Sequence, residues 1–283
     1  MVLRNARSFL ERLFAIVQFQ LKALHMNSHI VGLKNRRVLL TTLAIGMVGF
    51  SEYAAAQADL PGLLSHPSST SNTVSVNQLL SSSKSLRSVS RARQLLIDGR
   101  LDQAQKEITK ALHESPNCAL AIDIQGVIHY GASDFDDAAI EFQKTIDLDP
   151  TMGQPYVGLG MILISRNRLK EALVPLDRAR SILPTAWLVY FETAVAYLQL
   201  EDIPSTLKQL SYAENLAAPD SEKRSATAYL QALVSIKQQD YENATRHLQD
   251  VINFDPAGSY TKRAQAKIDQ IKPILDASEK SQP

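Results

Sequence analysis

The side chains able to do chemistry are few and scattered along the 283 residues. Six histidines (His25, His29, His66, His113, His129, His247) stand at spacings that match no metal-ligand pattern. There is no His-Glu-x-x-His, no phosphate loop and no Gly-x-Ser-x-Gly. Asp134, Asp136 and Asp137 crowd one short stretch, as calcium ligands do, but the Gly and the distal Glu of an EF-hand loop are missing. Their place suits a helix start, where carboxylates complement the helix dipole. Gly158-Leu159-Gly160 has the look of a dinucleotide loop but lies inside a stretch of helical periodicity. His129 and Tyr130, adjacent in sequence, read as a packed pair and not a catalytic one. Cys118 is the single cysteine, so no disulfide forms within the chain, and it reads as a buried, inert thiol. No enzymatic activity, metal or cofactor is expected from this set.

The elements that hold these residues follow a period. Pro116, Pro150 and Pro184 stand 34 residues apart, and each closes a block that reads alike. Superposed, the blocks place Gly126 over Gly160, Ala104 over Ala138 over Ala172, and Phe142 over Leu176. A fixed period of this length is the mark of a stacked repeat, in which each unit buries its apolar face against its neighbours.

Small residues early in the block, Ala past its middle and Pro near its end make the pattern resemble the tetratricopeptide repeat (TPR). Five units follow: 85–118, 119–152, 153–186, 187–220 and 225–258. Position 8 holds Ala92, Gly126, Gly160, Ala194 and Ala232; position 20 holds Ala104, Ala138, Ala172, Thr206 and Ala244. Position 24 holds Ile108, Phe142, Leu176, Leu210 and Leu248, and position 32 holds Pro116, Pro150, Pro184, Ala218 and Pro256. Two antiparallel helices approach closely only where side chains are small; a bulky residue fills the gap beside them, and Pro ends the second helix. The fourth block departs most, with Thr206 for Ala and Pro204 in a first turn, where Pro is tolerated. Ser221–Arg224 form a four-residue insertion expected to lengthen a loop. Residues 260–275 read as a capping helix, with Ala264, Ile268 and Ile271 inward and Lys262, Arg263, Lys267 and Asp269 outward.

The resemblance implies an all-α, right-handed superhelical solenoid of about five helix pairs plus a C-terminal cap, spanning 85–276. It also implies a concave face lined by the first helices, at positions 2, 5, 9, 12 and 13 of each block. Those positions hold few of the Lys, Arg and Asn residues with which family members grip acidic tails, so that clamp is not carried over. They are mostly apolar, and Tyr130, Val157, Met161, Phe191, Val195, Tyr229 and Leu233 are the expected partner-binding residues. The expected partner is a protein or peptide with an apolar segment; self-association is left open. The expected role is that of an exported scaffold or, alternatively, of an accessory subunit in an envelope enzyme, transport or assembly complex.

The N-terminus reads as an address. Lys34, Arg36 and Arg37 precede the apolar stretch Val38–Phe50, and Ala54-Ala55-Ala56-Gln57-Ala58 follows. This is the layout of a secretory signal peptide cleaved after Ala56 or Ala58, or, uncleaved, of a membrane anchor. The expected boundaries are 26–58 for the signal or anchor, 1–25 for an upstream extension (translation beginning at Met1 or Met26), and 59–84 for a Ser-rich flexible linker, in which Val74, Val76, Leu79 and Leu80 allow a short turn of helix against the first repeat. The expected location is therefore periplasmic or secreted, or anchored with the repeats outside the cytoplasm. Membrane contact is expected only through this segment. Residues 1–58 carry seven basic and two acidic side chains, leaving 23 basic and 27 acidic in 59–283. That mildly acidic body lacks the basic face that nucleic acid requires.

Overall fold

The computed structural model describes residues 75–279, all within one unit of the chain. The upstream extension, the signal or anchor and the linker as far as residue 74 lie outside the described residues. Among the described residues there are twelve helices and no strand. They are α1 (Val76–Leu80), α2 (Ser83–Ile97), α3 (Leu101–Glu114), α4 (Ala119–Gly131), α5 (Phe135–Leu148) and α6 (Gln154–Ser165). These are followed by α7 (Leu169–Ile182), α8 (Trp187–Gln199), α9 (Ile203–Ala217), α10 (Ser221–Lys237), α11 (Tyr241–Phe254) and α12 (Thr261–Glu279). The helices from α2 to α11 form five antiparallel pairs stacked in a right-handed superhelix, and α12 packs on α11 as the terminal element.

Each pair is built as the block pattern requires. Ala104, Ala138, Ala172, Thr206 and Ala244 are fully buried where the two helices meet. At Gly126 an added Cβ would stand 2.8 Å from the Phe142 ring, and at Gly160 it would stand 2.7 Å from Leu176. Position 8 therefore meets position 24 within the pair, and glycine is what lets the bulky side chain in. Gly158 presses on the opposite side of the same Phe142 ring from the next pair. One aromatic ring thus ties two repeats together.

The ends of the helices repeat as regularly. Each first helix closes with a residue in the left-handed region: Gly99 (φ 72°), Ser133 (φ 65°), Asn167 (φ 57°), Glu201 (φ 64°) and Gln239 (φ 62°). In all five the same two bonds form: Gly99 N–H donates to Leu96 O and Arg100 N–H to Leu95 O, and each later pair copies this. This is the Schellman closure, which satisfies carbonyls that the helix end leaves bare. Second helices stop just before Pro116, Pro150, Pro184, Pro219 and Pro256.

Three expectations are refined or corrected. Residues 76–80, inside the span given to the linker but also read as a short helical turn, form the helix α1, and Ser75 and Gln78 make its capping box. The Asn77 side chain also accepts from Ala119 N–H at 2.8 Å and donates to Asn117 O at 2.9 Å. Ser221–Arg224, expected in a loop, form the first turn of the 17-residue α10. Asp220 caps that turn by accepting from Glu222 and Lys223 N–H, and the Arg224 guanidinium lies 3.8 Å from the centre of the Phe254 ring. Lys267, assigned to the polar face of the cap, is buried.

Candidate functional site: a protein-interaction surface

First helices of successive pairs pack directly on one another, and second helices lie outside them against the first helices on either side. The inner layer is therefore α2, α4, α6, α8 and α10, and the outer layer α3, α5, α7, α9 and α11. The residues expected to line the concave face all belong to the inner layer, on α4, α6, α8 and α10.

In the structure these residues are largely buried. Tyr130, Val157, Met161, Phe191, Val195 and Tyr229 each expose 3% or less of their surface, and only Leu233 is half-buried. Aromatic contacts account for much of this. Tyr130 packs against Phe135 with ring centres 5.4 Å apart, and Tyr229 against Tyr260 at 5.2 Å. Phe191 stacks on Trp187 at 4.5 Å, and Trp187 Nε1 donates to Thr227 Oγ1 of the next pair at 3.0 Å. The Trp187 and Tyr229 contacts reach the next unit, whereas Tyr130–Phe135 and Phe191–Trp187 pack within one repeat. The sequence marks these side chains as inward-facing but does not tell a filled seam from an open channel.

The inner layer also buries polar side chains, among them Asp123 and Glu192. Asp123 of α4 is buried, and burial pushes its carboxyl up to about 7 against the opposing pull of the Arg93 guanidinium on α2. Burial likewise lowers Arg93, partly offset by Asp123. Asp123 Oδ1 and Arg93 Nε both lack a hydrogen-bond partner, so the two attract without a direct bond. Cys118 is buried and unpaired, as read from the sequence. Asp134 sits at the N-cap of α5, with Asp136 and Asp137 in its first turn. No group of three or more His, Cys, Asp or Glu that could hold a metal occurs among the described residues, and no described helix is long and apolar enough to cross a membrane.

Exposed large apolar side chains lie on α1 (Val76, Leu79, Leu80), at the end of α2 (Ile97) and on the outer layer. Ile140 on α5 and Val174 on α7 occupy the same block position and expose 63% and 72% of their surface. Leu207 and Tyr212 on α9 follow at 46% each. This row was legible in the sequence as apolar residues on the polar faces of amphipathic second helices, at Ile140 and Val174 with the full 34-residue spacing.

The arrangement of helices is shared with solved TPR proteins. Over 66% of its length the chain is similar to 98% of TTC0263, a thermophilic TPR protein of Thermus thermophilus, with 18% identity and a TM-score of 0.55. It is similar to PilW, described as a widely conserved type IV pilus biogenesis factor, over 71% of this chain and 96% of that one (15% identity, TM-score 0.57). PilF of Pseudomonas aeruginosa matches 70% of this chain with 93% of its own (16% identity, TM-score 0.54). No family model matches the sequence, and no curated protein does. At these identities the likeness is one of fold: the chain is a TPR-type helical solenoid.

Proposed function

We propose that this protein is an exported scaffold that holds an apolar segment of a partner protein against the outer layer of its repeats. The observation that carries the reading is the row formed by Ile140, Val174, Leu207 and Tyr212, exposed on three successive second helices. Large apolar side chains exposed on successive helices of a rigid surface mark an interaction site, since leaving them in water forgoes about 25 cal/mol per Å² of burial. The row leaves the inner seam intact, so binding requires no opening of the superhelix. Export is supported by the basic, apolar and Ala-rich succession over 34–58.

Two experiments test this. Ile140→Asp with Val174→Asp changes exposed positions and leaves the fold intact; the variant should lose at least about tenfold in co-purification of a partner from envelope extract. Equal recovery by variant and wild type contradicts the outer-row reading. N-terminal sequencing of the mature protein checks export: a start at Gln57 or Asp59 supports cleavage, and retention of residues 34–58 with the protein in the cytoplasm contradicts it.

The alternative role is an accessory subunit of an envelope assembly complex, a reading favoured by the similarity of fold to PilW. It differs in stoichiometry: a subunit co-purifies in fixed ratio with one complex, whereas a scaffold is recovered with partners in varying ratio.

A further inference from the structure

The first repeat ends the described array on a face unlike that of any internal repeat. Thirty-four residues on from Lys84, Arg87 and Ser88 stand Cys118, Ala121 and Ile122, all buried. The fourth block has Val189 and Tyr190 at the positions of Arg87 and Ser88, again buried. In those internal repeats the preceding helix pair packs over the face. In the first repeat Lys84, Arg87 and Arg91 are exposed and, with Glu107, Lys110 and Glu114 of α3, line a cavity of about 610 Å³.

The charges of this slot do not balance. Lys84 Nζ pairs with Glu114 Oε1 at 2.5 Å and Lys110 Nζ with Glu107 Oε1 at 2.6 Å. Arg91 adds its field at Glu107, which Lys110 already holds. Arg87 donates through Nε to Ser83 O at 3.3 Å. No carboxylate among the described residues stands within ion-pair distance of Arg87 or Arg91. Four residues apart on α2, they present two guanidinium forks along one helix face. An end face serving only solubility needs mixed charge, not a surplus of one sign.

We infer that this slot docks a helix of a partner protein that carries acidic side chains at i, i+4 spacing, lying where an internal repeat has its preceding helix. The chain's own N-terminal segment is a poor occupant by charge: residues 1–58 hold seven basic side chains and two acidic ones. The slot lies on a face other than the outer apolar row and stands or falls apart from it.

The test uses the full chain and a fluorescein-labelled, alanine-rich helical peptide of about 20 residues with glutamates at every fourth position. By anisotropy at low salt the wild type should bind it, and Arg87→Glu with Arg91→Glu should weaken binding about tenfold or more. The same peptide with lysines for glutamates should bind the reversed variant better than the wild type. A milder Arg87→Gln with Arg91→Gln variant should fall between, and thermal melts of both should match wild type because both positions are exposed. The inference is overturned if the wild type ignores the glutamate peptide or if charge reversal leaves binding unchanged. It is equally overturned if a proline-interrupted peptide of the same charge binds as well, if anionic vesicles compete for Arg87 and Arg91 more strongly than the helix, or if the slot proves to be filled by a second copy of the chain.

Discussion

A Cβ placed on Gly126 would stand 2.8 Å from Cε1 of Phe142, closer than real Cβ contacts allow. The ring lies against this glycine on its own pair and against Gly158 on the next, so it fixes the spacing within a repeat and between repeats.

Gly126→Ala should therefore destabilise the protein. The helix interior gains about 1 kcal/mol from Ala over Gly, but overpacking a closed core costs roughly 1–3 kcal/mol. A net loss of about 1 kcal/mol is expected from these two opposing effects, read as a lower denaturation midpoint. Combining it with Phe142→Leu should recover part of the loss, because the smaller side chain yields; a double-mutant cycle measures that coupling.

The left-handed residue at the end of each first helix gives a second expectation. Only the first of the five is a glycine, and a Cβ at Gly99 meets nothing within 4 Å. Gly99→Ala should thus cost about 1 kcal/mol from backbone conformation alone. Ser133→Gly should stabilise by about 0.5 kcal/mol, the relief of the left-handed strain slightly exceeding the added chain entropy of the unfolded state. Denaturant titration of both variants checks the pair of opposite signs.

Asp123 makes stability depend on pH. Its carboxyl titrates at about 3.9 when unfolded and at about 7 in the fold. The folded state holds the proton more tightly, so the contribution is complete below about pH 4 and is lost as pH rises through about 7, a fall on the order of 4 kcal/mol. His247, lowered chiefly by burial, acts in the opposite sense as pH falls below its ordinary range. Asp123→Asn isolates the aspartate: it should stabilise at about pH 8, leave stability near wild type only below about pH 4, and flatten the profile between them.

Asp220 holds the added turn of α10 by accepting from two backbone N–H groups at 3.1 Å. Asp220→Ala should cost about 1 kcal/mol and raise amide exchange in residues 221–224 before any other part of α10.

The architecture was legible because it is written five times. Pro at position 32, Ala at 20 and a bulky residue at 24 each answer a steric demand, and repetition turned weak local signals into a register. The turn residues were not legible in the same way: Ser133, Asn167, Glu201 and Gln239 adopt the conformation that Gly99 announces, because the two helices on either side dictate it. The four-residue insertion was misplaced for a similar reason, since Asp220 looks the same before a loop as before a helical turn. The inner-layer residues were legible as inward-facing, but not as open or filled. Phe191 and Tyr229 were correctly placed on the inner layer, but stacking on Trp187 and Tyr260 fills the space a ligand would need. Whether a helix face is channel or seam depends on superhelix pitch, a sum of small rotations that no single residue type records.

Hydroxyl-radical footprinting of the full chain with and without its co-purified partner tests the account most directly. Partner binding should suppress oxidation at Ile140, Val174, Leu207 and Tyr212 while Phe191 and Tyr229, already buried, stay unchanged. Protection that instead centres on Leu233 and the inner-layer residues around it, with the outer row still fully reactive, would contradict the account.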